Sequence, residues 1–350
     1  MKMGADNSRD PLEAEPMAGP RKKTDAAPAS LGLVGSSKLP ATAPLLRHFV
    51  SIFDLQADEA HDLVDRTLRL KRAGADDRRT SLLSGRTLGL VFEKPSLRTR
   101  VSFEAAMARL GGSSIFLRGK DVGLGIRESV ADFGRVISQY LDVLAVRTFS
   151  QTVVEELARH ATIPVINALS DTSHPCQAMA DMVTIEDERG SLAGRKLVFV
   201  GDGNNVARSL AMAAALLDLE FVLSAPAGYE FPADFQARFA TRFPELSLNI
   251  ERDPRKAVKG ADVVYTDVWA SMGQEQEADQ RREVFAPYQI NESLMSRARR
   301  DAIFLHCLPA HRGEEVTSSV LDGPQSRVIP QAANRMHFQM ALLLWLLGAD

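Results

Sequence analysis

The sequence predicts an α/β protein made of two doubly wound parallel-sheet domains linked by helices. Three observations predict it. From Leu45 onward, short apolar runs alternate strictly with amphipathic stretches. The runs fall into two sets of four, separated by the turn-rich segment Gly190-Ser191-Leu192-Ala193-Gly194. Polar, motif-like clusters follow the carboxyl ends of the runs, which is where open α/β sheets bind ligands. Alternating strands and helices imply parallel sheets covered by helices on both faces.

The elements follow in chain order. Residues 1–44 are rich in Pro, Ala, Gly and Ser, carry charges of both signs, and read as a disordered extension. Asp6, Asp10, Glu13 and Glu15 are acids that a transit peptide avoids, and there is no apolar core of a secretory signal. Strands are expected at 87–92, 113–117, 143–147 and 163–167, then at 196–201, 220–225, 262–267 and 302–306. Helical patterns at 98–110, 128–141, 175–188, 204–217 and 233–243 fill gaps between them, with 175–188 as the connector. The expected domains are 45–184 and 185–330, followed by a terminal helix at 331–350. The most apolar run, Met340 to Leu347, is too short to span a membrane and reads as a buried helix.

Composition narrows the class. The chain has 350 residues, room for roughly two domains of ~100–200 residues each. A hydrophobic content of 45% and a charged content of 25% are those of ordinary globular proteins. A net charge of −3 argues against nucleic acid as a partner, because such domains need a strong basic excess. It leaves room for a small anionic substrate held by a local positive cluster. Two cysteines, Cys176 and Cys307, cannot build a disulfide framework, so a reducing, cytoplasmic location is expected.

Several segments carry chemistry. Ser96-Leu97-Arg98-Thr99-Arg100 follows a strand and opens a helix, so unpaired backbone N–H groups meet two hydroxyls and two arginines. That combination suits a phosphate, without the glycine-lysine pattern of a nucleotide loop. Arg147 ends the run Val143-Leu144-Ala145-Val146, and either leaves for solvent or points into a cleft. His174-Pro175-Cys176-Gln177 places an imidazole and an amide three residues apart at a helix start, where they can face one way and polarise a carbonyl-amide group. No second ligand accompanies His174 at metal spacing. Val200-Gly201-Asp202-Gly203-Asn204-Asn205-Val206 resembles a dinucleotide loop, but its third glycine is missing and the next strand ends without an acid. Asn204 and Asn205 suit a small polar ligand instead. Asp267 can hold a substrate ammonium, and Ser271-Met272-Gly273 before Gln274-Glu275-Gln276-Glu277 reads as a mobile loop. His306-Cys307-Leu308-Pro309 brings a cysteine to a strand end, but adjacent strand residues point to opposite faces, which speaks against a direct Cys–His dyad. Asn334-Arg335-Met336-His337 opens the terminal helix.

Taken in one order, Ser-x-Arg-Thr-Arg, His-Pro-x-Gln, Asp-Gly-Asn-Asn, Asp-x-Trp-x-Ser-Met-Gly, His-Cys-Leu-Pro and Asn-Arg-Met-His resemble the ornithine carbamoyltransferase family over about residues 45–348. The resemblance implies that the C-terminal helix packs back on the first domain. It implies that Ser96, Leu97, Arg98 and Thr99 grip the phosphate of carbamoyl phosphate, and that Arg147 bridges phosphate and carbamoyl oxygen. His174, Gln177, Cys307, Leu308 and Arg335 would complete the carbamoyl pocket. Asn205, Asp267, Ser271 and Met272 would hold L-ornithine, with Arg147, His174, Asp267 and Cys307 at the reacting centre. The implied assembly is a homotrimer or a multiple of it, and no cofactor, metal or membrane is expected.

Two positions depart from the family pattern. Gly123 stands where the family usually has Gln or His, a side chain that reaches the carbamoyl phosphate of a neighbouring subunit. Glycine cannot supply it, and Arg127 is the candidate substitute. Ala333 stands where Glu is usual, beside Arg335. Other expectations therefore stay open: a carbamoyltransferase for a different amine, a catalytically impaired binding homologue, and a nicotinamide dehydrogenase, which the defective glycine pattern disfavours.

Overall fold

Short apolar runs that end in polar turns become the strands of two parallel sheets. The computed structural model describes residues 46–74, 81–270 and 277–349. Residues 1–44, and Ser271 and Met272 with most of the expected loop, lie outside the described residues. The first sheet contains β1 (Thr87–Phe92), β2 (Ser113–Arg118), β3 (Val143–Arg147) and β4 (Val165–Leu169) in the order β2-β1-β3-β4. The second contains β5 (Lys196–Val200), β6 (Glu220–Ser224), β7 (Asn249–Ile250), β8 (Val263–Thr266) and β9 (Ile303–His306) in the order β7-β6-β5-β8-β9. Every strand pairing is parallel. Parallel neighbours need a crossover, and the amphipathic stretches supply it as helices.

The long helices are α1 (Ala57–Arg72), α2 (Leu97–Arg109), α3 (Val130–Ile137), α4 (Gln151–His160), α5 (Pro175–Arg189), α6 (Asn205–Leu216), α7 (Ala233–Arg242), α8 (Ala278–Phe285) and α9 (Val328–Leu347). Helices cover both sheet faces, so the central strands are buried throughout: every residue of β3 is buried, the apolar run Val143–Val146 and Arg147 at its end. In α5, residues 175–185 are all buried, which marks a helix enclosed on every side. It packs against α1, α6 and α9. The terminal helix α9 runs back from the second sheet and packs on α1, α2 and α5, as the fold class requires.

Several boundaries shift from the sequence expectation, among them the terminal helix, which runs Val328–Leu347 instead of 331–350, and three differences have a local reason. β4 starts at Val165 rather than 163, because Pro164 has no N–H to donate. The helix expected at 128–141 is confined to 130–137. Ser129 caps its start by accepting from Asp132 N, and Ser138 Oγ ends it by donating back to Gly134 O at 2.6 Å. The edge strand β7 was not expected, having only two residues, both exposed. Among the described residues no helix is long and apolar enough to cross a membrane.

Leu343 lies fully buried in α9, the helix that packs on α1, α2 and α5. Leu343→Ala should cost about 2–5 kcal/mol, read as a lower urea midpoint at unchanged slope.

Candidate active site

The site begins where β1 turns into α2. Glu93 N donates to Arg147 O at 2.8 Å, which ties the ends of β1 and β3 together. Ser96 caps α2 by accepting from Thr99 N at 3.3 Å. Leu97 is exposed, Arg98 half-buried and Thr99 buried. Arg147 is only 6% exposed, so it points into the molecule rather than to solvent. Arg335 is delivered by α9, and its Nη2 donates to Thr99 Oγ1 at 2.8 Å. Three guanidiniums thus meet at one helix N-terminus.

Among the described residues none of these three arginines forms an ion pair, while Arg147 Nε and Arg335 Nε are buried without a partner. Burial, then the charges of Arg335 and Arg98, pushes Arg147 down to about 10. Arg335 is lowered by burial first, with Arg98 adding to it against the opposing pull of Cys176, Cys307 and Asp181. A buried cluster of like charge is costly, and an incoming anion relieves the cost.

His174 stands at the start of α5, with Pro175 in the first helical turn. Burial, followed by Arg335 and Arg147, holds its imidazole well below the ordinary value, so the ring is neutral. Its Nδ1 has no partner. Its backbone N–H donates to Ser209 Oγ on α6 at 2.9 Å, and Asn205 Nδ2 donates to Ser170 O at 2.7 Å. Both bonds stitch the two sheets' turns together.

The facing wall is built from the second sheet. Asn204 Oδ1 caps α6, accepting from Val206 N and Ala207 N at 3.0 Å each. Its Nδ2 donates to Asp267 Oδ2 at 3.0 Å. Asp267 Oδ1 accepts from Val268 N at 2.8 Å and from Cys307 Sγ at 2.9 Å. Burial, then the Asp267 charge, pushes the Cys307 thiol well up, so it is a thiol donor and not a thiolate nucleophile. His306 has a ring nitrogen within 4.8 Å of the Asp267 carboxylate and Cys307 Sγ, but its bonds go elsewhere: its Nδ1 accepts from Leu308 N at 2.8 Å and its Nε2 faces Glu315 Oε1 at 3.1 Å. That bond helps hold Leu308 in a left-handed conformation, φ 58°, unusual for a branched residue.

The expected site residues within the described regions, apart from Gln177, line one cleft of about 1300 Å³. Gln177 is not among the residues on the cleft surface; its Nε2 donates to Asp181 Oδ1 at 2.8 Å, which leaves its Oε1 at the other end of the amide, buried and without a partner. Sequence reasoning missed several residues here. Lys94, 9% exposed, holds its ammonium 4.2 Å from the centre of the Phe149 ring. Arg281 Nη1 donates to Asp202 Oδ2 at 2.6 Å and to Trp269 O at 3.0 Å, which cancels the charge of a second carboxylate close to Asp267. Only the Glu277–Arg281 spacing could have hinted at it. Asp181 is fully buried, and its partners come from α9 and β8.

Comparison with known proteins agrees with this geometry. Residues 47–187 match the aspartate/ornithine carbamoyltransferase carbamoyl-P binding domain, and residues 193–346 match the Asp/Orn binding domain of the same family. The chain belongs to the aspartate/ornithine carbamoyltransferase family. It is 48% identical over 304 residues to the ornithine carbamoyltransferase of Anoxybacillus flavithermus, covering 86% of this chain and 96% of that one. It is 47% identical over 305 residues to the anabolic ornithine carbamoyltransferase of Pyrococcus furiosus, with the same two coverages, 86% and 96%. The solved structure of ornithine carbamoyltransferase from Pyrococcus furiosus, 47% identical, superposes with a TM-score of 0.82, covering 87% of this chain and 98% of that chain. Arg98 and Arg147 fall within the carbamoyl-P binding match and Asp267, Cys307 and Arg335 within the Asp/Orn binding match, and all five line the same cleft.

Asp181 generates a stability test. Burial pushes its carboxyl from 3.8 up to about 7, against the pull of Gln331, Gln177, Tyr265 and Arg335. The folded state therefore holds a proton that the unfolded chain has already released. Wild-type stability relative to Asp181→Asn should fall as pH rises from about 4 to about 7, then level off. Urea midpoints of both proteins across that range check it, and a constant difference would refute it.

Proposed function

We propose that this protein transfers the carbamoyl group of carbamoyl phosphate to the side-chain amine of L-ornithine, giving L-citrulline and phosphate. The observation that carries the reading is the cluster of Arg98, Arg147 and Arg335 at the start of α2, uncompensated among the described residues and facing Asp267. The helix N-terminus, Ser96, Thr99 and Arg98 suit the phosphate. Arg147 and the neutral His174 suit the carbamoyl oxygen, where negative charge grows as the amine attacks. Asp267, with Asn205, Ser271 and Met272, is the proposed ornithine wall. The attacking amine has to be neutral, although its ordinary pKa is roughly 10. In this reading the Asp267–Cys307 pair orients it, and no single general base is assigned. Closure of the cleft would exclude water and align the two substrates.

The domain division that goes with this reading is 45–184 for carbamoyl phosphate and 185–330 for ornithine. One relative is anabolic by its description, which supports a role in arginine biosynthesis. A homotrimer fits the exposed apolar side chains Leu97, Val101, Ile115 and Ile126 around α2, β2 and the following turn, and a cytoplasmic location fits two free cysteines. Gly123 has a left-handed φ of 62°, and a Cβ there would meet Arg127 Cγ at 2.7 Å. Arg127 thus occupies the space where the family's Gln or His begins, and it is the proposed replacement across a subunit boundary.

A citrulline assay with both substrates tests the reaction, and competing amines such as putrescine test the acceptor. No citrulline from folded protein at saturating substrates would sink the proposal. Arg98→Ala should weaken carbamoyl phosphate binding at least about tenfold with the fold intact. Arg127→Ala should raise the carbamoyl phosphate KM several-fold at unchanged oligomer mass by light scattering. An unchanged KM would dismiss Arg127 as the replacement.

A further inference from the structure

Asp181 sits one turn beyond Gln177 on α5, buried behind the cleft, and nothing in the mechanism above uses it. Its Oδ1 accepts from Gln177 Nε2 at 2.8 Å and from Gln331 Nε2 at 2.7 Å. Gln331 belongs to α9, and its Oε1 accepts from the backbone N–H of His306 at 2.9 Å. Its Nε2 also donates to the Tyr265 hydroxyl at 3.2 Å. The two glutamines and the carboxyl therefore form a chain of hydrogen bonds with one polarity.

That polarity has a fixed source. A backbone N–H cannot be reversed, so Gln331 must present its oxygen to His306 and its NH2 to Asp181. Oδ1 of Asp181 is then an acceptor, and Gln177 must turn its own NH2 toward it. The two ends of an amide are nearly equal in shape, so such a network is what selects between them. Asp181 Oδ2 has no partner, and a proton placed there leaves Oδ1 an acceptor. Gln177 Oε1 remains as the free end, buried and without a partner. Beside His174 Nδ1, the site holds two further unpartnered groups that are donors, Arg147 Nε and Arg335 Nε. A carbamoyl group offers both complements: an oxygen for the arginines and an NH2 for an acceptor.

We infer that Asp181 is a positioning residue that makes the site select a carbamoyl over an acetyl group, by holding the Gln177 amide with its carbonyl end toward the substrate. The inference rests on the carbamoyl-transfer reading above. Acetyl phosphate keeps the phosphate and the carbonyl and replaces the NH2 with a methyl. A site that hydrogen-bonds an NH rejects an analogue lacking it far more strongly than an apolar pocket does. Without Asp181 the amide is free to turn over, and its NH2 then opposes the carbamoyl NH2.

The readout is the inhibition constant of acetyl phosphate divided by the carbamoyl phosphate KM, measured in the citrulline assay. Asp181→Leu should lower this ratio at least about tenfold, through a higher carbamoyl phosphate KM and with the ornithine KM unchanged. Asp181→Asn keeps an oxygen at the Oδ1 position, set by Gln331, and should hold the ratio within about twofold of wild type. Thr184→Val removes a neighbouring buried bond on α5, Asn334 Nδ2 to Thr184 Oγ1 at 3.0 Å, without touching the Gln177–Asp181–Gln331 chain, and should also keep the ratio. An equal loss in Asp181→Leu and Thr184→Val would reduce Asp181 to a structural role and overturn the inference. If Asp181→Leu does not fold, Asp181→Asn decides: a tenfold fall in that variant overturns it. A wild type that forms no citrulline refutes the underlying reaction, whereas a working wild type with an unmoved ratio in Asp181→Leu refutes the inference alone.

Discussion

Three guanidiniums held together against their own repulsion are the constraint on which the rest of this structure depends. Arg98 comes from the start of α2, Arg147 from the end of β3 and Arg335 from α9. Each alone would relax toward water or toward a carboxylate. The protein prevents that by mounting them on elements whose positions are set by burial: a fully buried β3, and α9 packed on α1, α2 and α5. Apolar burial of this kind, at roughly 25 cal/mol per Å², outweighs the repulsion, and the repulsion is then available to an anion.

The second sheet meets this cluster with opposite chemistry. Asn204 does two jobs, capping α6 and bonding Asp267, so the helix start and the carboxylate are set together. Asp202, a second acid of the same turn, is matched by Arg281. One carboxylate is thereby cancelled and one left to face the cleft. Cys307 looks like a nucleophile in the sequence, yet it serves as a donor to Asp267, because burial beside a carboxylate disfavours the thiolate.

Sequence reasoning reached the fold because the parallel sheets impose apolar runs that local chemistry interrupts only at turns. Where it slipped, local rules were at work: Pro164 delays β4, and Ser129 with Ser138 trims α3. The candidate site residues were legible because they sit in contiguous turns, as in Ser96 to Thr99 or His174 to Gln177. Lys94, Asp181 and Arg281 were not, since each acquires meaning from partners in other elements.

The sequence by itself determined which turns bear chemistry, the class of the fold, and the direction each strand must run for those turns to share an edge. Those properties are local: they follow from periodicity, capping and the residue types at strand ends. Only the tertiary structure decided how the side chains are used. It turned Arg147 inward and drew Gln177 back to Asp181. It also paired His306 with Glu315 instead of Cys307 and left the three arginines without ion-pair partners among the described residues. The physical reason is that charge, protonation and amide orientation depend on burial and on neighbours far apart in the chain, and these exist only once the two sheets have closed around one cleft.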